Sequence, residues 1–101
     1  MTSITPELEA RFVELEVRLD TLIALFEEAG ETFWHRYLAS ALIDVRERRL
    51  TGVTYVLGCY GGEDTFSDLT LGAPALDRRL VQLRSSIFTI ADAIASSAAR
   101  R

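Results

Sequence analysis

Residues 6–30 read PELEARFVELEVRLDTLIALFEEAG, and this stretch decides the fold. Leu8, Phe12, Leu15, Leu19, Leu22, Phe26 and Ala29 recur at alternating steps of four and three. That is a heptad seam, the pattern of helices that cross at a shallow angle. Thr5 is placed to cap the start, Pro6 sits where a missing N–H costs nothing, and Gly30 supplies the stop. Glu7–Arg11 and Glu14–Arg18 each put the acid four residues before the base, the better orientation on a helix. Val13, Val17 and Ala24 add a thinner apolar row, which predicts cover on a second side. Glu27 and Glu28 break a local rule, because the negative end of the helix dipole disfavours acids in the last turn. An Arg from a neighbouring helix is the simplest compensation.

Working outward, a second helix is expected from about Thr32 to Leu50. Trp34, Tyr37, Leu38, Ala41, Leu42 and Val45 form its apolar face, and Gly52 follows as terminator. VTYVLGCY, residues 53–60, has strand-like composition. No partner strand is evident, and a lone strand cannot satisfy its backbone, so a short buried helix is expected. From Pro74 to Ala98, Leu76, Leu80, Leu83, Ile87, Ile90 and Ile94 make a second heptad seam. The fold class read from the sequence is therefore all-α. It is a single domain over residues 1–101: three long helices, one short helix, and an irregular Gly-Gly loop before the last. Two long seams predict that the first and last helices pack along each other, and also allow a homodimer.

Composition narrows the function classes. The chain has 101 residues, 49% hydrophobic and 26% charged, with a net charge of −4. An acidic balance argues against a nucleic-acid partner, which demands a basic surface. Residues 1–31 carry −6, whereas residues 32–101 carry +2, and every basic residue is Arg. The acidic third is expected to face water or the more basic remainder of the fold; a basic protein partner is the functional alternative. One Cys forms no internal disulfide, no signal peptide is visible, and no apolar run reaches spanning length. A cytoplasmic protein away from the membrane is the expectation.

The loop GCYGGEDTFSDLTL, residues 58–71, is the one irregular stretch. Gly61-Gly62 suits a tight reversal, but a P-loop needs a Lys that the chain lacks. Glu63, Asp64 and Asp68 offer hard oxygens at a spacing that misses the EF-hand pattern. Asp64, Thr65, Ser67 and Asp68 are good turn residues, and Phe66, Leu69 or Leu71 can plug the core. The loop thus reads as a structured corner before it reads as a ligand loop. His35 is the one histidine and Cys59 the one cysteine. Cys59, in an apolar run, reads as a small buried hydrophobe, and a Cys-His nucleophile is the minor alternative. Glu27/Glu31 or Glu28/Glu31 could share a metal on a helix face, yet the di-iron bundle motif is absent. No metal and no cofactor are expected. Arg78, Arg79 and Arg84 read as the solvated side of the last helix.

YGGEDTFSDLTL resembles the loop of an uncharacterised family of small bacterial proteins, a domain of unknown function whose loop reads Tyr/Phe-Gly-Gly-Met-Gly-Ser-Phe-Asn-Asp-Leu. Tyr60, Gly61, Gly62, Phe66, Asp68 and Leu69 match; Glu63, Asp64 and Thr65 replace Met-Gly-Ser, and Ser67 replaces Asn. TFWHRYLASAL upstream is similar to the family's helix with an early Trp. The resemblance spans roughly residues 20–71. It implies a mainly helical fold and no activity.

The functional expectation is a non-catalytic protein-interaction module of the immunity, antitoxin-type inhibitor or adaptor kind. Its expected binding residues are Glu27, Glu28, Glu31, Tyr60, Gly61, Gly62, Glu63, Asp64 and Asp68. The alternative is a small hydrolase or ligand-binding protein using the 59–68 loop with His35.

Overall fold

The computed structural model describes residues 5–60, 66 and 69–99. Its elements are α1 (Pro6–Ala29), α2 (Thr32–Arg46), α3 (Leu50–Leu57), a 3-10 turn at Gly58–Tyr60, and α4 (Pro74–Ala99). The chain is all-α, with no strand among the described residues, and the ambiguous 53–60 stretch is helical. No helix among these residues is long and apolar enough to cross a membrane.

α1 begins as its sequence dictates. Thr5 Oγ1 accepts from the Leu8 N–H at 3.2 Å, and Gly30 ends the helix in the left-handed region at φ 74°. Glu31 N–H then reaches back to the Phe26 carbonyl at 2.9 Å, closing a Schellman turn. The Glu31 carboxylate caps α2 by accepting from the Trp34 N–H at 2.9 Å. One two-residue corner therefore satisfies the end of one helix and the start of the next.

The heptad positions go inside. Leu8, Phe12, Leu15, Leu19, Leu22, Leu25 and Phe26 of α1 meet Leu80, Leu83, Ile87, Ile90, Ala91 and Ile94 of α4 in one core. Arg11 near the start of α1 donates to Ser97 Oγ near the end of α4, at 3.0 Å. Arg79 near the start of α4 pairs with Glu28 near the end of α1, at 3.1 Å. The two long helices run antiparallel, and each turn of seam buries side chains at about 25 cal/mol per Å² of apolar area. α2 packs on the other flank of α1, and α3 joins α2 to α4. The result is elongated, 44 × 24 × 19 Å.

Three local expectations are corrected. Helix α2 stops at Arg46, not near Leu50, because Arg48 takes the left-handed conformation at φ 60°. Gly52 does not terminate α2; it lies buried inside α3. A Cβ there would sit 2.8 Å from Asp44 Cβ, 2.9 Å from Val45 N and 3.0 Å from the Ala41 carbonyl. Glycine is needed at this position so that α3 can cross the α2 backbone. The Val13, Val17 and Ala24 row is not covered within the chain, with Val13 and Val17 about half exposed.

The acidic first third does face the basic remainder. Arg48 grips Glu9 through two hydrogen bonds and Glu16 through a third. Arg46 reaches Asp20 at 3.1 Å. These ions tie the end of α2 to α1.

Candidate interaction surface

The returning loop is anchored from inside. Phe66 is buried, with its ring edge-on to Phe26 and Tyr60 and tilted on Trp34 at 5.3 Å. Arg84 donates to the Phe66 carbonyl at 2.9 Å and to the Leu69 carbonyl at 3.3 Å. Arg84 is thus a loop clamp and not the solvated residue its sequence position suggests. Tyr60 O–H donates to the Arg84 carbonyl at 2.6 Å, and burial pushes the phenol's pKa up. Asp77 accepts from the Leu71 N–H at 2.6 Å where the loop enters α4. Phe66 as plug is what the alternating FSDLTL pattern predicts. Gly61, Gly62, Glu63, Asp64 and Asp68 lie outside the described residues.

Three of the expected acidic residues are described, and two of them, Glu28 and Glu31, have work within the chain. Glu28 turns to α4 and Arg79. Glu31 caps α2. Glu27 Oε1 lies 3.5 Å from His35 Nε2, an enclosed nitrogen that completes no hydrogen bond. The cation expected from another helix to offset the acids of the last turn is present: Arg79 for Glu28, with the His35 ring beside Glu27. Glu27 and Glu31 share a groove with His35, whereas Glu28 is drawn to the opposite flank.

The parts of a thiol nucleophile are not assembled. Cys59 is buried and its Sγ–H points to the Tyr55 carbonyl at 3.7 Å. Burial pushes the thiol up to about 12, so it stays protonated near neutral pH, where a nucleophilic cysteine must ionise. His35 instead faces Glu27 on the α1 side. Among the described residues, no three His, Cys, Asp or Glu side chains converge to hold a metal ion.

The conspicuous surface lies between α2 and α3. Tyr37 of α2 and Tyr55 of α3 stack with centroids 4.0 Å apart and planes 6° off parallel. Tyr37 O–H donates to the Tyr55 carbonyl at 3.2 Å, and partial desolvation pushes its phenol up to about 12. Phe33, one turn before Tyr37, stands 65% exposed, with Leu50 at 46% and Tyr55 at 42%. Two shallow grooves of about 450 and 440 Å³ flank the tyrosine pair. Phe33, Arg36 and Ser40 line one, Leu50, Thr54 and Gly58 the other, and both share Tyr37 and Tyr55. Among the described residues, no carboxylate lines either groove.

Sequence reasoning missed this face. The sequence places Tyr37 in the apolar stripe of α2, where it does pack against the core, and Phe33 stands outside that stripe. The available signal was the Phe33–Tyr37 spacing of four, which places two aromatic residues on one helix flank. Nothing local announces that Tyr55, eighteen residues on, completes the cluster. No family model, curated protein or solved structure matches the chain.

Proposed function

We propose that this protein is a non-catalytic protein-interaction module that engages its partner through the α2–α3 aromatic face. The observation that carries the reading is the exposed cluster of Phe33, Tyr55 and Leu50 around the Tyr37 stack. Interface centres are rich in aromatic residues and Arg and poor in acids, and rigid aromatics anchor binding at little entropic cost. In a chain of net charge −4, two grooves whose described lining holds no carboxylate are a local departure that folding does not require. The scaffold in this reading is a bundle of three long helices and one short one, with a Gly-Gly corner before α4. An inhibitor or adaptor role in the bacterial cytoplasm, and kinship with the small proteins whose loop it resembles, belong to the same proposal. So does a homodimer, supported by the uncovered Val13 and Val17 on the outer side of α1.

The acidic reading is weaker than this one. Glu28 and Glu31 each serve the fold, so their position needs no partner. The hydrolase reading lacks a thiolate at Cys59. Capture of host proteins by the wild-type chain, by Phe33→Ser with Tyr55→Ser, and by Glu27→Arg with Glu28→Arg separates these readings. Loss in the first double variant alone is the expected result. Loss in the second alone overturns the aromatic assignment. Sedimentation equilibrium of the wild type and Val17→Glu tests the dimer, which is expected to weaken in the variant.

A further inference from the structure

The outer side of α1 carries a second apolar feature, and it is symmetric. Ala10, Val17 and Ala24 follow one another at seven-residue steps, and all three are exposed. Two turns of an α-helix take about seven residues, so the three share one line along its surface. Val13 and Thr21 lie on either side of that line, with Val13 about half exposed. We propose that this face packs against the same face of a second copy of the chain, α1 against α1 in antiparallel orientation, with the two-fold axis passing at Val17. The inference rests on the homodimer proposed above and adds its surface, orientation and register.

The face matches itself in shape. Turning one α1 end for end about Val17 lays Ala10 over the partner's Ala24 and Val17 over the partner's Val17. Small residues at both ends let the helices approach, and the valine pair fills the centre. Thr21 Oγ1 donates to the Val17 carbonyl of its own helix at 3.0 Å, so the hydroxyl beside the line is satisfied without a partner.

It matches itself in charge as well. Glu14 and Arg18 flank the line on one side, both exposed. They stand four apart in the order that favours pairing on a helix, yet neither has an ion pair among the described residues. Other acids of α1 are matched within the chain: Glu9 and Glu16 to Arg48, Asp20 to Arg46, Glu28 to Arg79. In the antiparallel register Glu14 is offset from the partner's Arg18 by about 3 Å along the axis, within reach of both side chains, and the symmetry makes the contact twice. A parallel copy instead sets Glu14 beside the partner's Glu14 and lays a segment of charge −6 on itself. At the ends Glu7 comes near the partner's Glu28, whose charge Arg79 offsets. A foreign helix would have to bring the acid and the base at this spacing, whereas a second copy supplies both. One face of a helix about 36 Å long is a small interface, so the dimer is a weak one.

Sedimentation equilibrium of the full chain, up to millimolar protein, reads the dimer, and cysteine cross-linking under mild oxidation reads its register. Cys59 is buried and stays in place. The wild type is expected to dimerise. Glu14→Arg and Arg18→Glu should each weaken the dimer about tenfold, and the two together should restore it. Val17→Cys should cross-link to itself. Ala10→Cys mixed with Ala24→Cys should cross-link to each other, and Ala10→Cys alone should not. A wild type that stays monomeric overturns the inference together with the homodimer, and leaves the aromatic face standing, because capture through Phe33 and Tyr55 reads that face separately. A dimer indifferent to Glu14→Arg, not restored by the reversed pair, or cross-linked by Ala10→Cys alone overturns the inference and leaves the homodimer.

Discussion

Arg48 holds the Glu9 carboxylate with two hydrogen bonds, Nε at 2.9 Å and Nη2 at 2.8 Å, across thirty-nine residues of chain. The same guanidinium reaches Glu16 and the Val45 carbonyl at 3.0 Å each and lies over the Phe12 ring at 5.8 Å. Its backbone sits at φ 60°, a conformation that glycine adopts more cheaply. Arginine occupies a glycine position because its side chain is what locks α2 onto α1.

Two substitutions separate the backbone effect from the side-chain effect. Arg48→Ala loses the ion network and keeps the strained backbone. Arg48→Gly loses the network but relieves the strain, so it should be the milder change by about 1 kcal/mol. Both should be less stable than wild type in urea denaturation. An Arg48→Gly variant more stable than wild type would mean that the network contributes less than the strain costs.

The same pair gives a pH dependence. The hydrogen bond from Arg48 holds the Glu9 carboxyl below its ordinary 4.5. A lowered folded value means the contribution is fully present above 4.5 and is lost as pH falls through that lower folded value. Denaturation midpoints measured from pH 7 to pH 3 should fall in acid, and fall less steeply in Arg48→Ala. Equal slopes in the two proteins would contradict the assignment. Salt should narrow the gap, since Glu9 is well exposed.

Gly52→Ala tests the crossing of α2 and α3. An alanine would raise helix propensity, yet its Cβ meets two backbone atoms at 2.9 and 3.0 Å. The clash should dominate, with a loss of about 1–3 kcal/mol as α3 is pushed outward. A neutral or stabilising result would show that the two helices stand further apart.

Cys59 should behave as a buried apolar residue. Its thiol, pushed up to about 12 by burial, should react slowly with Ellman's reagent at pH 8 in the native protein and promptly in urea. Prompt native reaction would revive the nucleophile reading.

Much of the fold was legible because two seams, Leu8 to Phe26 and Leu80 to Ile94, each carry a period that only a packed helix explains. Thr5 and Gly30 were legible as caps for the same reason, since their roles are local. Gly52 was misread because its cause is a neighbour in space, the Asp44 turn of another helix. Arg48 gave no warning, since a left-handed arginine is held by Glu9 and Glu16 from α1. Arg84 looked like surface until Phe66 and Leu69 brought their carbonyls to it. The acidic excess was visible, but not that Glu28 and Glu31 are spent on Arg79 and on the α2 cap. The aromatic face was the least legible, because Tyr37 and Tyr55 meet only after α3 folds back on α2.

The most direct test of an interaction function at that face is site-specific photo-crosslinking in the native host, with a benzophenone side chain at residue 33 or 55, and at residue 17 or 28 for comparison. A discrete adduct with a host protein from positions 33 and 55, absent from 28 and distinct from any dimer adduct at 17, is the predicted result. Adducts from position 28 and none from 33 or 55 would contradict the account and return the function to the acidic corner.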